Sequence, residues 1–149
     1  MEPPVLDPTD APAVPFDALD GTRLLGLRDV PDAGRAVRAG LPASSFDALR
    51  DALGLPAAAL AEALGIAPRT LSRRRAGGRL APDESDRLLR AARLTEMAAA
   101  ALGSPGAAAV WMTRPQALLG EPPLRRADTA PGAREVEDAL YAIEYSAAA

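Results

Sequence analysis

Punctuation restricts this chain more than any other feature. Glycine and proline recur at short intervals, and from about Leu24 onward the segments between them are rich in alanine, leucine and arginine and poor in β-branched residues. Such segments favour helix and leave little room for paired strands. Helices are expected over Gly34–Arg38, Ser45–Leu53, Pro56–Leu64, Pro68–Arg75, Pro82–Leu102, Pro105–Met112 and Gly132–Tyr145. Several open on proline, whose missing N–H costs nothing in a first turn. The interval from Arg114 to Pro131 reads as irregular, with one turn of helix around Gln116 to Leu119. The expected fold class is therefore all-α. Residues 1–32 stand apart, because Pro3, Pro4, Pro8, Pro12 and Pro15 lie among acids and alanines. That mixture neither propagates a helix nor supplies a core, so the stretch reads as an acidic, Pro-rich, flexible N-terminal arm.

Composition removes much chemistry. All 17 basic residues are arginine, and lysine, histidine and cysteine are absent. A thiol nucleophile, a disulfide, a zinc finger, an imidazole base and a Schiff base are thereby excluded. The densest carboxylates, Asp83, Glu84 and Asp86, follow Pro82 and read as helix N-terminal charges favoured by the dipole. No catalytic residue, metal site or cofactor is expected, and an enzyme is the least favoured class. The longest apolar stretches, Met97–Leu102 and Ala107–Met112, fall far short of the roughly twenty residues that span a bilayer, and no basic cluster opens the chain. A cytoplasmic protein without membrane contact is expected.

The net charge of −3 averages unlike parts. Residues 1–32 carry seven acids against Arg23 and Arg28, a net of −5, and residues 94–149 carry −3. Residues 69–93 hold eight arginines against Asp83, Glu84 and Asp86, a net of +5. Arginine usage in general is what a coding bias would produce. Its concentration between Arg69 and Arg93 is placement, and suits a polyanionic partner as well as a solvated helix face.

The run from Leu60 to Arg74 places this charge. Leu60 and Leu64 share a helix face, and Ala61 is small where a second helix must cross. Gly65 supplies the left-handed turn, Ile66 drops into the core, Pro68 starts the next helix, and Leu71 is its inward residue. This is the spacing of a helix-turn-helix, placing a DNA-binding domain over residues 33–80, with a plain helical hairpin as the alternative. Arg69, Thr70, Ser72 and Arg73 would face base edges, and Arg74 and Arg75 phosphates. Farther on, Trp111 reads as a core residue of a small helical subdomain. In the last helix Val136, Leu140 and Ile143 form an apolar stripe. Tyr141 and Tyr145 stand four apart beside Glu137, Asp138 and Glu144 and suggest a partner surface.

From about Gly40 to Tyr145 the succession of motifs resembles the Xre/MbcA/ParS antitoxin family, partners of RES-domain toxins. The resemblance is carried by Arg69-Thr70-Leu71-Ser72-Arg73-Arg74, by Leu80 with Glu84-Ser85-Asp86-Arg87-Leu88, and by Trp111 with Pro115 and Leu118-Leu119-Gly120. Pro123-Leu124 and the segment from Asp128 to Glu137 that leads to Leu140, Ile143, Glu144 and Tyr145 complete it. Two departures are Ser146 where the family commonly has glycine, and Ala67 where serine often caps the recognition helix. The resemblance implies an Xre-like helix-turn-helix domain followed, over residues 81–149, by a helical toxin-binding domain. It implies an antitoxin of a type II system that blocks the active site of a cognate RES toxin, whether NAD-degrading or ADP-ribosylating, and represses its own operon. Operator DNA is then a second partner, and a homodimer within a larger complex is expected. Toxin contact would fall on Arg134, Glu135, Glu137, Asp138, Tyr141, Glu144 and Tyr145. A free-standing transcription regulator with a C-terminal dimerisation or ligand module is the other reading.

Overall fold

The computed structural model describes residues 14–27 and 29–148, so the first part of the expected arm, residues 1–13, lies outside the described residues. Among the described residues, eight α-helices follow a single 3₁₀ turn at Phe16–Ala18. They are α1 (Ala33–Ala39), α2 (Ala43–Leu53), α3 (Ala57–Ala63), α4 (Pro68–Gly77), α5 (Pro82–Leu102), α6 (Pro105–Thr113), α7 (Pro123–Arg126) and α8 (Ala130–Ala148). No strand occurs among these residues, only an isolated bridge between Pro42 and Arg79. The all-α expectation holds. Proline stands in the first turn of α4, α5, α6 and α7. Asp32 and Ser104 cap α1 and α6 by accepting the N–H of Arg35 and Ala107. Two details differ from the expectation. Gln116 to Leu119 is a turn, with the N–H groups of Leu119 and Gly120 both donating to the Gln116 carbonyl, and α7 arises inside the stretch read as irregular.

Helix α5 is the spine. About 30 Å long at 1.5 Å per residue, it buries Leu88, Ala91, Ala92, Leu94, Met97 and Ala98, and packs against α1, α6 and α8. The small alanines, joined by Ala108 of α6, permit close approach of the helix axes. Helix α2, with Phe46, Leu49 and Leu53 buried, packs on α3, α4 and α5 and also on α6. One hydrophobic cluster consequently runs without a break from Leu25 through Leu60 and Met97 to Val136 and Leu140. The expected boundary at residues 80–81 falls just before α5, which itself contributes side chains to this shared core.

Over residues 14–27 the expected arm lies against the helices. Leu25 is buried, and its carbonyl accepts from Ser45 Oγ of α2. The N–H groups of Gly21 and Leu24 donate to the two oxygens of Glu96 on α5, at 2.8 and 2.9 Å, and Arg93 Nε donates to the Leu19 carbonyl at 3.1 Å. Gly21 has φ +86, and a Cβ there would lie 2.7 Å from the Arg93 nitrogen and 2.8 Å from the Leu89 oxygen. Only glycine lets the segment lie this close to α5. An irregular segment is held in place when distant carboxylates and carbonyls satisfy its polar groups.

Candidate nucleic-acid interface and partner surface

Helices α3 and α4 form the expected two-helix unit. Gly65, at φ +69, donates its N–H to the Glu62 carbonyl, and Ile66 donates to Ala61 at 2.8 Å. These two bonds satisfy carbonyls left open at the end of α3, and they turn Ile66 into the core beside Leu60, Ala61 and Leu71. Ala67 offers no side-chain cap to α4. The turn is held to the spine by Arg87, whose Nε donates to the Leu64 carbonyl at 2.7 Å.

The arginines of α4 fall into two groups. Arg69, Ser72 and Arg73 are exposed, Thr70 is half-buried, and neither the Arg69 nor the Arg73 side chain forms a hydrogen bond or ion pair among the described residues. Arg74 and Arg75, expected at phosphates, each reach a carboxylate of the protein, Arg74 half-buried and Arg75 still exposed. Arg74 Nε donates to Glu84 at 2.7 Å, and Glu84, 4% exposed, also accepts the Ala81 N–H at the start of α5. That hydrogen bond raises the pKa of the Arg74 guanidinium. Arg75 pairs with Asp47 at 2.6 Å and stands 5.6 Å from the centre of the buried Phe46 ring. Arg79 donates to the Gly40 carbonyl, and Arg87 and Arg90 pair with Asp83 and Asp86 one turn back. Much of the +5 segment is therefore balanced locally, and Arg69 and Arg73 are the arginines of α4 outside any ion pair among the described residues.

Helix α8 has an inner face of Ala133, Val136 and Leu140. Among the residues expected to meet a toxin, Glu137 receives a two-bond fork from Arg93 at 2.8 and 3.1 Å, which lowers its pKa. Glu135 accepts Arg126 at 2.7 Å. Arg134 and Asp138 are exposed and Glu144 is half-buried; none of the three is in an ion pair among the described residues. The Tyr141 hydroxyl donates to Asp17 at 2.6 Å, and this bond pushes its pKa up to about 12. Phe16 meets the Tyr141 ring edge-on at 4.9 Å, and Tyr145, 68% exposed, stacks with the same ring at 6.0 Å. The residues missed from sequence are Asp47, Glu84 and Arg87 around α4, and Phe16, Asp17, Arg93 and Glu96 around α8. Their partners are far away in the chain.

Trp111, expected in a core, is only partly buried. It borders an open groove of about 470 Å³ lined also by Gln116, Leu118, Leu119, Ala142 and Ile143. Leu118, 92% exposed, stands at its rim. Among the described residues no group of carboxylates is placed to hold a metal ion, and no helix is long and apolar enough to cross a membrane.

Comparison with known proteins identifies two domains in the chain. Residues 32–93 match the antitoxin Xre-like helix-turn-helix domain, and residues 97–145 match the antitoxin Xre/MbcA/ParS C-terminal toxin-binding domain. Together they define an antitoxin of the helix-turn-helix class. The chain is 33% identical to an Antitoxin Xre of Yersinia enterocolitica over 113 residues, 74% of this chain and 76% of that protein. It is 40% identical to an Antitoxin Xre of Pseudomonas putida over 65 residues, 43% of this chain and 41% of that one. The chain belongs to the Xre/MbcA/ParS family of antitoxins.

Proposed function

We propose that this antitoxin neutralises a RES-domain toxin by seating the outer face of α8 in the toxin's active site, and that α4 represses its own operon. The observation that carries this reading is the pair of separate, outward-facing surfaces on one core. One is Arg69, Thr70, Ser72 and Arg73 on α4, spaced for a major groove. The other is Arg134, Asp138, Tyr141 and Tyr145 along one stripe of α8, with Glu144 beside it. Arg74, Arg75, Glu135 and Glu137 support these surfaces through their ion pairs. A homodimer, aligning two copies of α4 on repeated half-sites, completes the reading, with toxin, operator and antitoxin together in the cytoplasm.

Co-expression with a RES-type toxin tests it. Cellular NAD, or ADP-ribosylation of the toxin's target, should return to the toxin-free level with the antitoxin present. Point variants serve better than truncation, because Val136 and Leu140 belong to the common core. Tyr145→Ala should weaken neutralisation and leave operator binding intact, and Arg69→Ala should do the reverse. Loss of both functions together in either variant would refute the separation.

A further inference from the structure

We propose that the N-terminal segment around Phe16 and Asp17 belongs to the partner-binding surface, forming with Tyr141 and Tyr145 a composite patch that takes an arginine side chain of the protein partner. The inference rests on the reading above that α8 faces the toxin, and adds to it a segment that neither family match covers, since these begin at residues 32 and 97.

The chain has five aromatic residues. Phe46 is buried, yet Phe16, Tyr141 and Tyr145 are gathered in one row, edge-on at 4.9 Å and then stacked at 6.0 Å. A row that ends in a ring 68% exposed leaves an aromatic face open to a partner. Aromatic rings at such positions dominate binding energy when a partner covers them. Three carboxylates on or beside the row stand outside any ion pair among the described residues, with Arg93 near enough to Tyr141 and Asp17 to act on both electrostatically. Asp17 uses one oxygen for the Tyr141 hydroxyl and has no cation paired to it among the described residues. Asp138, one turn before Tyr141 on the same stripe, and Glu144, next to Tyr145, are likewise free of ion pairs among the described residues. Glu137 is already answered by Arg93, and Arg134 lies farther back toward the start of α8. An open ring face with carboxylates at its margin suits a guanidinium, which stacks on the ring while its N–H groups reach the carboxylates. An ammonium makes the point-charge contact but not the stacked one.

The segment is built to hold this position. Glu96 grips Gly21 and Leu24, Arg93 holds Leu19, and Leu25 is sealed in the core, whereas Phe16–Ala18 contributes no buried residue of its own. The anchored part fixes the segment, and the superficial part presents Phe16 and Asp17 beside Tyr141.

The full chain and the RES toxin that it neutralises in the co-expression test are the reagents, with affinity measured by calorimetry at low and high salt. Asp17→Asn retains an oxygen to accept the Tyr141 hydroxyl but removes the charge. It should weaken the complex about tenfold at low salt and much less at high salt. Phe16→Ala should weaken it by about five- to tenfold at both salt concentrations. Amide exchange at Gly21 and Leu24 reports whether the segment stays docked, and operator affinity should be unchanged in both variants. Unchanged toxin affinity with either variant overturns the patch while leaving the toxin reading intact. Tighter binding also overturns it, since the segment would then be a competitor that the toxin displaces. If the unaltered chain binds no RES toxin, the underlying reading fails and the patch falls with it.

Discussion

Replacing Leu140 by alanine tests whether the two family modules fold as one body. Leu140 lies on the inner face of α8, is fully buried, and belongs to the cluster that also contains Leu60, Ile66 and Leu71 of the helix-turn-helix. Removing three carbons from such a site costs about 2.4 kcal/mol in transfer energy at about 0.8 kcal/mol per methylene. The unfilled space raises the cost to about 3–4 kcal/mol. Against a total stability on the order of 5–15 kcal/mol, that is a large fraction. With a urea slope of about 2 kcal/mol/M, the unfolding midpoint should fall by about 1.5–2 M. Helical circular dichroism follows the whole chain, and native-state amide exchange follows its parts. The informative amides are Leu71, bonded to Ala67 at the start of α4, and Ala133, bonded to Thr129 at the start of α8. A shared core predicts a single transition and a parallel loss of protection at both. Retention of wild-type protection at Leu71 while Ala133 loses it would refute the single-body account.

Other perturbations separate the surfaces from the framework. Arg69→Ala with Arg73→Ala should cost about 1–3 kcal/mol of operator binding for each base edge no longer read, and should reduce the salt slope of log K by about one for each phosphate no longer neutralised, measured by titration at several ionic strengths. Arg74→Ala should leave that slope unchanged and lower the melting temperature, because Arg74 is spent on the buried Glu84. The Tyr141 pKa, pushed up to about 12 by Asp17, stabilises the fold fully below the ordinary tyrosine value of 10.0, and this contribution fades as pH rises toward 12. An ultraviolet titration should show one late phenol that moves to lower pH in Asp17→Asn. The sign is opposite for Glu137, whose pKa is lowered by the Arg93 fork. Its contribution is present above the ordinary carboxylate range and is lost on acidification, so Glu137→Gln should flatten the acid limb of a stability curve. Gly21→Val should release the N-terminal segment, seen as fast exchange at Leu24, without changing operator affinity.

The local architecture was legible because its causes are local. Gly65 with Ile66, Pro68 with Leu71, and Pro82 through Leu102 mark turns, starts and inward faces by spacing of a few residues, and α5 occupies the span its punctuation demands. Tyr141 and Tyr145 share a helix face by their spacing of four, as the stacked rings show. α7 escaped because one turn of helix between prolines has almost no periodicity to read.

What the tertiary structure alone decided is the employment of each charge and of the N-terminal segment. Arg73 and Arg74 are neighbours of identical chemistry, yet one faces solvent and the other is spent on Glu84, ten residues away. Arg93 serves Glu137, 44 residues on, and Glu96 gathers Gly21, 75 residues back. Helical propensity, capping and amphipathic spacing act between near neighbours, so sequence by itself determined the longer helices, the helix-turn-helix and the basic segment. A guanidinium or a carboxylate has no intrinsic facing. Its place is set by whichever opposite charge or bare backbone group the packed helices bring within about 3 Å, and those meetings exist only once the chain has closed on its shared core.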